Sequence, residues 1–91
     1  MEDQRRPFTE EFIDKNTVIR HFDPMADDHL YKWHRDHEDR AIVALNENDW
    51  KFQFDNEIPQ SIEINNVINI KKGKYHRLIK GTSSLSLKIE F

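Results

Sequence analysis

The chain has 91 residues, 36% of them hydrophobic and 34% charged, with a formal net charge of −3 and a mean hydropathy of −0.89. With no cysteine, disulfides, zinc–thiolate clusters and thiol catalysis are excluded, and no apolar run is long enough to span a bilayer. One small domain with a thin core follows from this size, and an overall acidic balance argues against generic nucleic-acid binding.

Residues 1–16 read as an N-terminal extension and residues 17–91 as the domain proper. Met1 to Pro7 is charged and lacks the apolar stretch of a signal peptide, so a cytoplasmic protein is expected. Phe8 to Lys15 carries Phe12-Ile13 between acidic residues and suits one helical turn or an edge strand. Thr17 to Phe22 is a β-branched run closed by the turn-favouring Asp23-Pro24 pair. Leu30 to His37 alternates, with Tyr31, Trp33 and Arg35 on one side and Lys32, His34 and Asp36 on the other. Ala41 to Leu45 is continuously apolar, and Asn46 to Asp49 makes a polar connection to the next strand. There Trp50, Phe52 and Phe54 alternate with Lys51, Gln53 and Asp55. Ile62-Glu63-Ile64 and Val67 to Ile70 flank Asn65-Asn66. Gly73 supplies a tight turn before Tyr75 to Ile79, Gly81-Thr82 turns the chain again, and Leu85 to Phe91 alternates to the end. About seven short strands between turn signals, with no sustained helical period after residue 30, predict an all-β sandwich or barrel.

Chemistry concentrates in three residues. His34 and Asp36 stand two apart, so on a strand they face the same way, and His76 follows forty residues later. Two imidazoles and one carboxylate form the facial ligand set suited to non-haem iron and related divalent metals. Asp39 or Glu38 is available as a fourth ligand, although strand parity disfavours Asp39. Arg40 shares the parity of His34 and Asp36, where it could neutralise Asp36 or hold an anion beside the metal. The competing reading is a metal-free Arg40–Asp36–His hydrogen-bond network, or Asp36 as a strand-end acceptor of backbone N–H groups. His37 reads as a surface histidine and His29 as part of a solvated loop. Trp33, Trp50, Phe52 and Phe54 read as core or subunit interface. No strained serine motif or phosphate-cradling glycine loop is present.

These segments resemble the cupin superfamily over roughly residues 30–91. His34-x-Asp36 stands where the first cupin motif begins H-x-H, and Asn69 to His76 fits the second motif, with Lys71 in place of its proline. Asp39-Arg40 stands at the place of the expected glutamate. The His-x-Asp…His pattern is also like that of jelly-roll dioxygenases dependent on iron and 2-oxoglutarate, but Arg77 lies too near His76 to act as their distant arginine. The whole is most similar to small single-domain cupin-like proteins of tailed phages, with W-H-x-D-x-x-D-R and G-x-x-H-R-x-I-K-G as the shared segments. The resemblance implies a double-stranded β-helix, a small jelly-roll barrel, with a short N-terminal extension. It implies a divalent metal (iron, manganese, nickel or zinc) on His34, Asp36 and His76, and a host-cytoplasm location if the chain is phage-encoded.

Three functions follow as expectations. A metal-dependent cupin enzyme would act on a small molecule. A non-enzymatic module would hold a small anionic metabolite or nucleotide signal, with Arg40, Gln53, Arg77 and Lys80 as ligand-binding residues at the barrel mouth. A structural protein of a phage assembly would use its strands and aromatics to pair. The basic cluster Lys71, Lys72, Lys74, Arg77 and Lys80 keeps an anionic ligand open, although solvated strand and turn lysines are the commoner reading. A homodimer is expected from the thin core.

Overall fold

The computed structural model describes residues 8–25 and 31–91. Within them run eight strands: β1 (Phe8–Asp14), β2 (Thr17–Phe22), β3 (Arg40–Ala44), β4 (Lys51–Phe54), β5 (Gln60–Ser61), β6 (Ile68–Ile70), β7 (His76–Ile79) and β8 (Leu85–Glu90). They form a five-stranded sheet in the order β1-β2-β8-β3-β6 and a three-stranded sheet in the order β5-β4-β7, with every strand pair antiparallel. This is the all-β sandwich that the sequence pattern predicts, and the small jelly roll that the resemblance implies.

Period-two alternation decides which side chains enter the space between the sheets. Along β8, Leu85, Leu87 and Ile89 are buried while Ser86, Lys88 and Glu90 turn outward. Val18 and Phe22 of β2, Ile42 and Ala44 of β3, Ile68 and Ile70 of β6, and Phe52 and Leu78 of the smaller sheet complete this layer, with Trp50 and Ile62 beside it. Each large apolar side chain buried here contributes on the order of 1.5–3 kcal/mol. Trp50 is almost fully enclosed and donates its indole N–H to Ser83 O at 2.6 Å, so its one polar atom is satisfied.

The structure decides one open alternative of the sequence reading and departs from that reading in two places. Phe8 to Asp14 is an edge strand paired along β2, so the sheet continues into the segment assigned to the N-terminal extension. Residues 31–39 are not a regular strand. They carry one isolated bridge, His34 to His76, because the chain bends at His37-Glu38 to enter β3 and leaves no length to extend the pairing. Ile62 to Ile64 is also not a strand: β5 lies just before it, Ile64 makes a single bridge to Ala44, and Asn65 adopts a left-handed conformation. The tail before Phe8, the Asp27-Asp28 cluster, His29 and Leu30 lie outside the described residues. Among the described residues no helix is long and apolar enough to cross a membrane.

Turn chemistry sets the ends of the barrel. Gly73 has φ +81°, the left-handed region that its lack of a Cβ permits. At the other end the Asp49 carboxylate accepts bonds from Thr82 N (2.9 and 3.0 Å), Thr82 Oγ1 (2.6 Å), Ser83 N (3.2 Å) and Ser83 Oγ (3.2 Å). The amide N–H and hydroxyl donors of this turn favour the charged form and hold the Asp49 pKa at about 2.

Candidate metal centre

Two turns bring His34, Asp36 and His76 to one end of the barrel. His34 and His76 exchange both backbone bonds, at 3.0 and 2.9 Å, so the two residues lie directly opposite one another. Gly73 N–H donates to Asp36 O at 2.9 Å, and Lys72 N–H donates to the Asp39 carboxylate at 2.8 Å. The stretch 34–39 is thereby sewn to the turn between β6 and β7. One potential ligand atom from each of His34, Asp36 and His76 lies within 4.8 Å of the other two. The two imidazole centroids are 4.3 Å apart, and His76 stacks on Phe52 at 5.4 Å.

Both histidines are oriented in the same way. His34 Nδ1 lies 2.9 Å from Lys32 O and His76 Nδ1 lies 2.8 Å from Lys74 O. A carbonyl only accepts, so in each ring Nδ1 carries the proton and donates, and Nε2 is left to present a lone pair. Burial lowers the His34 pKa, and the charges of His76 and Arg40 act in the same direction against the backbone bond and Asp36. Burial by itself would raise the Asp36 pKa. The approach of His76 and the charge of Arg40 outweigh it, and the net direction is down. The group is thus biased toward one neutral imidazole and one ionised carboxylate, the protonation states that ligation requires.

Asp36 faces a cation on one side and a lone pair on the other. Its Oδ1 is 3.6 Å from Arg40 Nη1, and its Oδ2 is 3.4 Å from His76 Nε2. With Nδ1 of His76 already donating, Nε2 and Oδ2 confront each other as two acceptors unless a positive species joins them. Either a metal ion or a second proton on the imidazole meets that requirement. The donor set therefore fits a divalent cation.

The cavity beside these residues is small, about 40 Å³, and is lined by Arg20, Phe22, His34, Asp36, Arg40, Ile42, Phe52, Ile70, His76, Leu78, Leu87 and Ile89. A water needs roughly 10–15 Å³ measured in this way, so the space suits an ion with one or two small molecules. Pockets for metabolites of nucleotide size run to about 300–1,000 Å³. The enclosed part of this space lies well below that range.

The remaining residues expected at the mouth divide. Arg40 lines the cavity, but Gln53, Arg77 and Lys80 do not. On β7, His76 and Leu78 are buried, so Arg77 faces outward; it donates to Gln53 Oε1 at 2.9 Å and lies over the Trp33 ring at 4.7 Å. Lys80 follows the end of β7 and lies over Tyr31 at 5.5 Å. Asp39 is occupied in capping the turn, and Glu38 lies against Arg40 Nη2 at 3.4 Å, so neither joins the ligand group. Trp50 and Phe52 are core, as expected, whereas Trp33 is 43% exposed. Arg20 was missed. Its parity with Val18 and Phe22 on β2 carried the signal, but an arginine between two core residues does not advertise an inward side chain. Its charge is met there by Glu10 at 2.5 Å.

No protein-family model matches the chain, and no curated protein matches it. Solved structures do. A Neisseria meningitidis protein is similar over 91% of this chain and 82% of its own, with 20% identity and a TM-score of 0.63. A cupin domain from Bordetella pertussis is similar over 91% and 88%, with 15% identity and a TM-score of 0.62. A cupin-like protein from Thermotoga maritima covers 91% of this chain and 65% of its own, with 16% identity and a TM-score of 0.61. At these identities the likeness concerns the fold: the chain has a cupin-like jelly roll.

Proposed function

We propose that this cupin-like barrel is a divalent-metal protein that presents the ion to a small ligand, with His34 Nε2, Asp36 and His76 Nε2 as its ligands. The observation that carries this reading is the confrontation of His76 Nε2 with the Asp36 carboxylate at 3.4 Å, when Nδ1 of that ring already donates to Lys74 O. A bound ion would supply Lewis acidity in a largely apolar cavity. The chain's own contribution is orientation. The carbonyls of Lys32 and Lys74 fix both rings, Phe52 backs His76, and Ile70, Leu78 and Leu87 make the adjoining wall apolar. Three protein ligands leave room for exchangeable positions, which suits either catalysis or ligand capture.

The test is metal content. Native protein, and apoprotein titrated with iron(II), manganese(II), nickel(II) and zinc(II), is expected to hold close to one ion per chain. His34→Ala and His76→Ala are expected to lose it. A folded wild-type chain that takes up none of the four ions would refute the proposal.

A second reading is supported by the 3.6 Å approach of Arg40 to Asp36. In it, Arg40, Asp36 and a doubly protonated His76 form a metal-free polar network at the barrel end. Metal-free protein whose His76 carries protons on both nitrogens, seen by nitrogen-15 NMR, is its distinguishing outcome.

A further inference from the structure

Arg40 has an incompletely used guanidinium in the place where a ligand would meet the metal group. Its Nη1 faces Asp36 at 3.6 Å and its Nη2 faces Glu38 at 3.4 Å. Its Nε is buried and has no hydrogen-bond partner among the described residues. A buried donor left unmade is unfavourable and uncommon, so its persistence calls for an acceptor. The cavity that Arg40 lines holds about 40 Å³, and Arg40 and Ile70 also line an open groove of about 460 Å³ that includes Asn69, Lys71 and Phe91.

Charge decides which kind of acceptor is missing. Without a metal, Arg40 and Asp36 offset one another inside the cavity, while Arg20 is met by Glu10 and Glu38 sits at the outer side of Arg40. A divalent ion adds two positive charges against the single carboxylate of Asp36 in surroundings that are mostly apolar. That excess disfavours a neutral occupant and favours an anion. From these observations, and resting on the metal reading above, we infer that the site takes a small monocarboxylate. Its head would accept from the Arg40 guanidinium while facing the His34–Asp36–His76 group. Arginine is suited to this because its planar donors match carboxylate geometry and stay charged at all working pH values. The position at which the cupin motif would place a glutamate thus supplies a ligand-binding cation in this chain.

The expected behaviour is mutual dependence: carboxylate tightens metal, and metal tightens carboxylate by the same factor. Zinc(II) affinity of the wild-type chain, measured by competition with a chromophoric chelator and corrected for zinc–acetate complexation, is expected to rise at least fivefold in saturating acetate, roughly the lower end of ordinary coupling. Acetamide, a neutral molecule of the same shape, is expected to leave it unchanged. Arg40→Met is expected to load zinc but to lose the acetate effect, and Arg40→Lys to keep less than half of it on a logarithmic scale. Failure to bind zinc at all refutes the metal reading and this inference with it. Zinc binding that acetate does not tighten, or that acetamide tightens equally, overturns the carboxylate assignment and leaves the metal reading standing. The acetate and acetamide comparison is made on wild-type protein, so it decides the matter even if an Arg40 variant fails to fold.

Discussion

Replacing Gly81 by alanine tests whether the far end of the barrel is built as described. A Cβ at this position would meet the Asp49 carboxylate, and it would lie 2.7 Å from the Asp49 backbone carbonyl oxygen. The carboxylate cannot simply swing away, because it holds the amides and hydroxyls of Thr82 and Ser83. The carbonyl oxygen is backbone and has even less freedom. Overpacking of this kind costs about 1–3 kcal/mol. In a domain of this size each kcal/mol lowers the melting temperature by roughly 4–8 °C. Thermal unfolding followed by far-ultraviolet circular dichroism should therefore show Gly81→Ala melting well below wild type. Combining it with Asp49→Ala removes the side-chain half of the conflict, so the double variant should lose less than the sum of the single losses. A melting temperature for Gly81→Ala less than about 4 °C below wild type, the smallest shift that 1 kcal/mol implies, would refute the argument.

The other predictions concern ionisation and packing. Asp49 has a lowered folded-state pKa of about 2, so its contribution is present above the ordinary carboxylate value of 3.8 and is lost as the pH falls toward 2. The stability gap between wild type and Asp49→Asn, measured by urea unfolding, should be constant from pH 7 to 5 and should close on further acidification. Asp36 acts to raise the His34 pKa against a larger effect of burial; in metal-free Asp36→Asn the His34 ring should titrate lower still, as followed by proton NMR. His34, like Asp49, has a lowered folded-state pKa, so its contribution holds above its ordinary 6.5 and weakens on acidification. Leu87→Ala removes a buried side chain that touches both the core and the cavity. It should cost about 2–5 kcal/mol in denaturant unfolding, a loss that a surface change such as Lys88→Ala should not show.

The fold was legible because burial in a two-layer sandwich repeats every second residue. Leu85, Leu87 and Ile89, or Trp50 and Phe52, announce their faces without further context. The site was legible for a narrower reason: His34 and Asp36 share a parity that survives even though their segment is not a regular strand. The His34–His76 bridge keeps the alternation local to that one pair. Parity also explains why Arg77, expected at the mouth, faces outward. It could not place Lys80 or Gln53, because which face of a strand meets ligand depends on how the two sheets stack. Nor could it find the Asp49 cap, since Asp49 and Thr82 are brought together only when the connections after β3 and β7 meet in space.

The single pairing of His34 with His76 also has a kinetic meaning. Two backbone bonds, one donated by the amide of each residue, are the only strand pairing that joins the 31–39 segment to β7 among the described residues. A segment held by isolated bonds rather than a continuous ladder opens locally at a smaller free-energy cost than the strands around it. An occupant touching His34, Asp36 and His76 together would act as a staple across that opening. Amide exchange at His34 and His76 should then slow on loading, while exchange deep in β8 stays as it was, so occupancy could be read from the backbone alone.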